Sequence, residues 1–233
     1  MYKRQALFYS QVGLHHLVGG PIPTWAVTLS VVQSVMMVVP VLAVAINQHT
    51  LSLSNGWAWR ESIPLRFVAL GAIAYTLVSL QGSAEALRAV NTVTHFTHYT
   101  VGHAHMGMYA FVSLVMFGSI YYILPHLTGR HWPWRALIAW HFWLVTIGIG
   151  IYVGSLTIGG WLQGLAMLDP TRGFMESVRL TVPYLTARSF GGGLMTAGHL
   201  LFALHLIAFL TSAGKPPVPT DHSGEPLQER SAG

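Results

Sequence analysis

The chain has 233 residues, 52% of them hydrophobic and 8% charged, where soluble domains carry about 25% charged residues. With a mean hydropathy of +0.51 and a net charge of only +5, it excludes a water-soluble fold of this size and makes lipid the expected solvent. Absence of cysteine excludes disulfides, thiolate-bound zinc and iron–sulfur clusters, and no basic run points to nucleic acid.

Crossing a bilayer as a helix takes about 20 apolar residues. In chain order, residues 5–20 are apolar but short for a full span. Residues 25–47 form a first complete run, and 65–82 a shorter, more polar one. Residues 99–124 are long and contain His103 and His105. Residues 134–168 exceed one span, so this helix is expected to tilt or to extend beyond the membrane. Residues 183–212 form the last run. The expectation is an all-α, polytopic transmembrane bundle of about six helices over residues 1–212. Residues 213–233 read as a disordered polar tail. With the two ends on one side, Lys3, Arg4, Arg60, Arg66, Arg130, Arg135 and Lys215 fall together, and Arg88, Arg172, Arg179 and Arg188 fall opposite. The positive-inside rule makes the first side cytoplasmic. Trp132 and Trp134 fit an interfacial belt.

Thirteen histidines stand beside twelve Lys+Arg and seven Asp+Glu, and imidazole is a ready ligand for haem or copper. His103 and His105 lie two apart in an apolar helix, so their rings point about 200° apart. They suit two different haems better than one metal, and Gly102 and Gly107 would let flat macrocycles approach. The bland alternative is a pair satisfied by backbone or water, but polar groups within a membrane are costly and mark function. His15 and His16, preceded by Tyr9, can share one metal at a distorted helix end, for which Gly13, Gly19, Gly20 and Pro21 provide. Otherwise they are ordinary polar residues at the membrane surface. The polar stretch 81–105 holds Glu85, Arg88, Asn91, His95 and His98. It could bind propionates through Arg and His, or be a solvated loop. His49, His126, His131 and His222 read as surface or loop residues. His141, His199 and His205 read as structural, the last two being six apart and poorly placed to share a face.

The run from His95 through His98 to His103-Ala104-His105 resembles the tenth-helix signature of haem-copper oxidase catalytic subunits, most of all the cbb3-type cytochrome c oxidases. Tyr9 through His15-His16-Leu17 and Pro23-Thr24-Trp25-Ala26 is similar to helix seven and the turn after it. Trp140-His141-Phe142-Trp143 and Gln163-Gly164-Leu165 are similar to helix eleven, and Pro183-Tyr184 through Arg188 and Gly191-Gly192 to the start of helix twelve. The resemblance covers nearly the whole chain and implies helices seven to twelve of such a subunit.

It further implies roles. His103 would be the proximal ligand of a high-spin haem b, and His105 one axial ligand of a low-spin haem b. His15 and His16 would be two of three histidines on copper. Tyr9 would be the redox-active tyrosine that gives an electron and a proton during dioxygen cleavage. His95 and Arg88 would lie near haem propionates, and Tyr75 and Ser79 along the proton uptake path. The family pattern has a glutamate where this chain has Gln81, and an aspartate at His98. The resemblance implies a bacterial inner-membrane setting, cytochrome c-type subunits as partners, and an amino-terminal half or split partner chain supplying the remaining ligands. Two other classes stay open. One is a nitric oxide reductase of the same superfamily, which uses glutamates near a non-haem iron and lacks the tyrosine. The other is a non-catalytic dihaem electron-transfer anchor.

Overall fold

The computed structural model describes residues 12–18 and 20–212. Five helices among them are long and apolar enough to cross a membrane. With no water in a bilayer core, backbone polar groups must bond within the protein, which helices achieve internally. Residues 1–11 and 213–233, with Tyr9, His222 and the tail, lie outside the described residues.

The first span joins α1 (Thr24–Met36) to α2 (Val38–Ser54) through Met37. Pro40 has no N–H for the carbonyl of Met36 and its ring crowds that carbonyl, which explains a break at this point. A short α3 (Gly56–Glu61) follows, then α4 (Ile63–Glu85), capped by the Ser62 side chain, which accepts from Leu65 N at 3.4 Å. A short α5 (Arg88–Thr94) leads to α6 (His98–His105), capped by Thr97. A π-helical stretch, Met106–Ser113, continues α6 into α7 (Leu114–Thr128), which ends at Gly129 with φ 63°. Finally come α8 (Arg135–Leu168) and α9 (Phe174–Thr211).

The last helix starts nine residues before the apolar run 183–212 that announces it. Glu176 and Arg179 hide its first turns from a hydropathy reading. At 1.5 Å per residue α9 is about 57 Å long, well beyond a hydrocarbon core of about 30 Å, so those polar turns extend past the apolar layer. Arg130 Nη1 donates to the carbonyl of Leu210 at 2.7 Å, tying the end of α9 to the link between α7 and α8.

Helices α8 and α9 pack through glycine. A Cβ on Gly148 would meet the carbonyl oxygen of Gly191 at 2.8 Å, and one on Gly191 would meet that of Gly148 at 2.6 Å. Small residues let membrane helices come this close and gain van der Waals contact. A second core fills one end of the bundle around Phe67, Leu114, Tyr121, Trp132, Phe142 and Phe209. His141 is fully buried in it and bonds the Tyr121 hydroxyl at 3.0 Å. His199 pairs with the Tyr109 hydroxyl at 2.7 Å, and His205 with the Pro133 carbonyl. Despite their six-residue spacing, His199 and His205 both turn to this core: His199 lies against Phe117, and His205 against Trp132. Trp132 is buried here, stacked on Phe209 and donating to the Tyr121 carbonyl at 2.9 Å, so it is a core residue and not part of an interfacial belt. Trp134 is exposed.

The Tyr121 hydroxyl satisfies a buried ring nitrogen. Tyr121→Phe should therefore destabilise the bundle by about 1–3 kcal/mol, read as a lower melting temperature in detergent. An unchanged melt would show that the His141–Tyr121 bond carries no net stability.

Candidate metal centre

His15 and His16 sit in a 3-10 turn, Leu14–Leu17, entered through Gly13 at φ 100°, a left-handed conformation that favours glycine. The tight turn brings the two rings to a centroid separation of 4.1 Å, the convergence that adjacent residues on a regular helix would not give. His15 is 3% exposed. Its backbone N donates to Ser30 Oγ at 3.1 Å, and its Nδ1 lies 3.2 Å from Ser34 Oγ. The buried Nε2 of His15 has no hydrogen-bond partner. A ring fixed through Nδ1 with Nε2 left over is the arrangement of a metal-ligating histidine. Burial, then the neighbouring His16 and His103, holds the His15 pKa down to about 4. The His16 pKa is also lowered, by burial and then by His95. Both rings are thus neutral donors near pH 7. Asn91 steadies the turn from α5, donating to the His15 carbonyl at 3.3 Å and the Glu85 carbonyl at 3.1 Å.

His103 leaves α6 towards this turn and towards α4. Its ring lies 6.1 Å from that of His16, and its Nδ1 is 3.9 Å from Glu85 Oε1. Ligand atoms of His16, Glu85 and His103 all fall within 4.8 Å of one another. A cavity of about 230 Å³ is lined by His15, His16, His103, Ser79, Gly82 and Ser83, among others.

His105 leaves the same helix towards α8. Its Nδ1 lies 2.8 Å from the Val101 carbonyl one turn back, and its Nε2 3.3 Å from the Tyr152 hydroxyl. The Arg188 guanidinium lies 5.9 Å from the Tyr152 ring centroid. His103 and His105 thus face different neighbours, as the 200° geometry requires. Gly102 does not clear space for a macrocycle: a Cβ there would meet Leu156 Cβ at 3.1 Å and Thr157 Oγ1 at 3.2 Å, so α8 fills the gap. Gly107 is looser, with Val78 at 3.5 Å.

His95 Nε2 bonds the Val18 carbonyl at 2.7 Å and so fastens the segment after His16. Arg88 is exposed and donates to Thr28 Oγ1 at 2.6 Å. It borders a cavity of about 340 Å³ that also touches His15 and Asn91. The His98 ring is held by Gln163 Oε1 at 2.7 Å, joining α6 to α8. Tyr75 packs on Phe111 with ring centroids 5.1 Å apart, while Ser79, one turn on, lines the cavity with the three histidines. Tyr9 lies outside the described residues. His49 proves to be a helix residue, bonding Thr76 of α4 at 2.9 Å, and not a loop residue. Sequence reasoning gave no role at the site to Ser30, Ser34, Glu85 in contact with His103, Tyr152, or Arg188 beside it. Their partners are distant in the chain, so no local pattern announces them.

The donors suit haem and copper. They are imidazoles, His15 buried and His16, His103 and His105 half-buried, and the buried His15 Nε2 and His103 Nδ1 lack hydrogen-bond partners. Metal–imidazole bonds are about 2 Å, so the gap between the His16 and His103 rings accommodates a single ion. Seating a flat macrocycle on His103 requires the 3-10 turn to move away from α6.

The described residues thus form a polytopic helical bundle with a histidine cluster on one side of a helix and another histidine on the other. The chain belongs to the family described as Cytochrome C and Quinol oxidase polypeptide I, which matches residues 5–194. It is 34% identical over 203 residues to the cbb3-type cytochrome c oxidase subunit CcoN1 of Stutzerimonas stutzeri, covering 84% of this chain and 43% of that one. It is 33% identical over 206 residues to a cytochrome c oxidase subunit 1 homolog of Agrobacterium tumefaciens (strain T37), covering 85% and 38%. A solved heme-copper terminal oxidase dimer has the same fold, with a TM-score of 0.73 at 20% identity over 89% of this chain and 41% of that one. The chain spans about two fifths of the length of the curated relatives it matches.

Proposed function

We propose that this chain is the part of a terminal-oxidase catalytic subunit that carries the dioxygen-reducing site, of the cbb3 type, in a bacterial inner membrane. The observation that carries the reading is His15, His16 and His103 around one cavity, with His105 turned away from it on the same helix. His103 would hold a high-spin haem b, His105 a low-spin haem b, and His15 with His16 a copper ion. When bound, these groups would supply the electrons that reduce dioxygen, drawn from cytochrome c-type subunits. The chain's own residues do the rest. Ser34 orients the His15 ring, and the Val101 carbonyl, which can only accept, holds the proton of His105 on Nδ1. The neutral histidines supply donors without competing protons. Tyr75, Ser79 and Ser83, each one turn apart on α4, lead towards the cavity and pass protons to it. Tyr9 would give a proton and an electron. His95 and Arg88 would bind haem propionates. The remaining low-spin haem ligand and third copper ligand come from an amino-terminal half or a split partner chain.

One observation favours a second reading, a nitric oxide reductase of the same superfamily: the Glu85 carboxylate lies close to both His16 and His103. Tyr9 favours the oxidase. Metal analysis of the complete assembly separates them. Copper is expected, non-haem iron would establish the reductase, and neither would establish an electron-transfer anchor. His15→Ala and His16→Ala should each remove copper and reduce oxygen consumption to background while the low-spin haem stays. Tyr9→Phe should keep all metals and lose most turnover. Normal copper in both histidine variants would remove the site, and full turnover by Tyr9→Phe would remove the role of the phenol.

A further inference from the structure

Glu85 is the last residue of α4 and is 1% exposed. Among the described residues no Lys or Arg pairs with it; its ionic contact is His103 Nδ1 at 3.9 Å. Both Glu85 Oε1 and His103 Nδ1 are buried and without a hydrogen-bond partner. An unpaired buried carboxylate is strongly unfavourable, and a ring N–H facing it is the donor that removes the penalty.

The surrounding residues fit the same purpose. Gly82 and Glu85 are three apart on α4 and share a face. A Cβ on Gly82 would meet His103 Cε1 at 3.0 Å and Nε2 at 3.3 Å, so glycine leaves room for the Cε1–Nε2 edge of the ring. Gln81, one turn before Glu85, is a neutral amide whose buried Oε1 has no partner. It cannot supply negative charge to the ring.

We infer that Glu85 is a positioning residue for His103: its carboxylate accepts the Nδ1–H, fixes the ring tautomer and leaves Nε2 for iron. The negative charge at this site thus stands one helical turn beyond Gln81. This rests on reading His103 as the proximal haem ligand. From 3.9 Å, a shift of about 1 Å would make this contact a charge-assisted hydrogen bond of about 2.7–2.9 Å. Such a bond raises ligand basicity and stabilises the oxidised haem, lowering its potential.

The test uses the haem-loaded membrane assembly containing this chain, with low-spin haem absorbance as the internal measure of folding. In Glu85→Ala and the near-isosteric Glu85→Gln, the midpoint potential of the high-spin haem should rise. The iron–histidine stretch of the ferrous form should fall, with the low-spin haem unaltered. Gln81→Glu added to Glu85→Ala, or Glu85→Asp alone, should return both readouts towards the parent values. Parent potential and stretch in both Glu85→Ala and Glu85→Gln would overturn the inference alone. So would loss of the non-haem metal with an unchanged stretch, which would make Glu85 a ligand beside His16. A parent assembly with no high-spin haem on His103 would overturn the underlying reading, and this inference with it.

Discussion

His105→Ala in a complete assembly should abolish the low-spin haem spectrum while the high-spin haem persists in part, and His103→Ala should do the reverse. The two rings are two residues apart, yet each meets a different environment: His103 faces Gly82, Glu85 and His16, and His105 faces Tyr152. Neither ring can take over the other's ligand position without rotating the helix by about 200°. An axial imidazole is needed for binding and sets the potential, so each loss should be near complete for its own haem. Optical and magnetic spectra of the purified assembly separate the two signals. If either variant kept both spectra unchanged, the division of labour between His103 and His105 would be wrong.

Gly164→Ala should have the largest effect on stability, although no histidine is changed. A Cβ on Gly164 would lie 1.8 Å from the Val93 carbonyl oxygen, and one on Gly160 would lie 1.9 Å from the Tyr99 backbone N. These are backbone atoms, so the clash cannot be relieved by a rotamer. The α5 segment must move away from α8, and with it His95, which fastens the turn after His16. Overpacking costs typically about 1–3 kcal/mol and occasionally more, and this contact belongs at the upper end. Gly154→Ala is the control. Nothing lies within 4 Å of a Cβ there, and alanine in a helix interior is better than glycine by about 0.5–1 kcal/mol. The first variant should melt well below the parent and the second at or above it. Equal melting of the two would show that α8 tolerates a wider approach to α5.

The spans were legible because a bilayer demands long apolar runs, and those runs set three of the five described spans closely, while the first run, 25–47, stops short of Ser54 where Gln48, His49 and Thr50 dilute it. The start of α9 was not, because Glu176 and Arg179 interrupt the pattern outside the apolar layer. His15-His16 and His103-Ala104-His105 stood out because imidazoles are conspicuous in apolar surroundings. Glu85 appeared in the sequence only as a polar residue in a connecting stretch. Its meaning comes from the tertiary approach of α4 to α6. Ser34 and Tyr152 reach His15 and His105 from separate helices, which no local spacing encodes. Gly102 shows the converse error. A small residue beside a histidine reads as local clearance, but a neighbouring helix supplies the missing volume.

The π-helical stretch Met106–Ser113 follows His105 directly. Its wider i→i+5 turns break the rotational phase of the span, so a helical wheel drawn straight from His98 to Thr128 is out of register in its lower half. Leu114, Gly118 and Tyr121, the buried positions of α7, follow one wheel, while His103 and His105 follow another. The faces that carry the two imidazoles are thereby set at a different angle from the face of α7 that packs against α4 and α8 than an unbroken α-helix would give. Deleting one residue from this stretch would restore a regular α-helical phase and turn the buried face of α7 relative to His103 and His105 by about 100°.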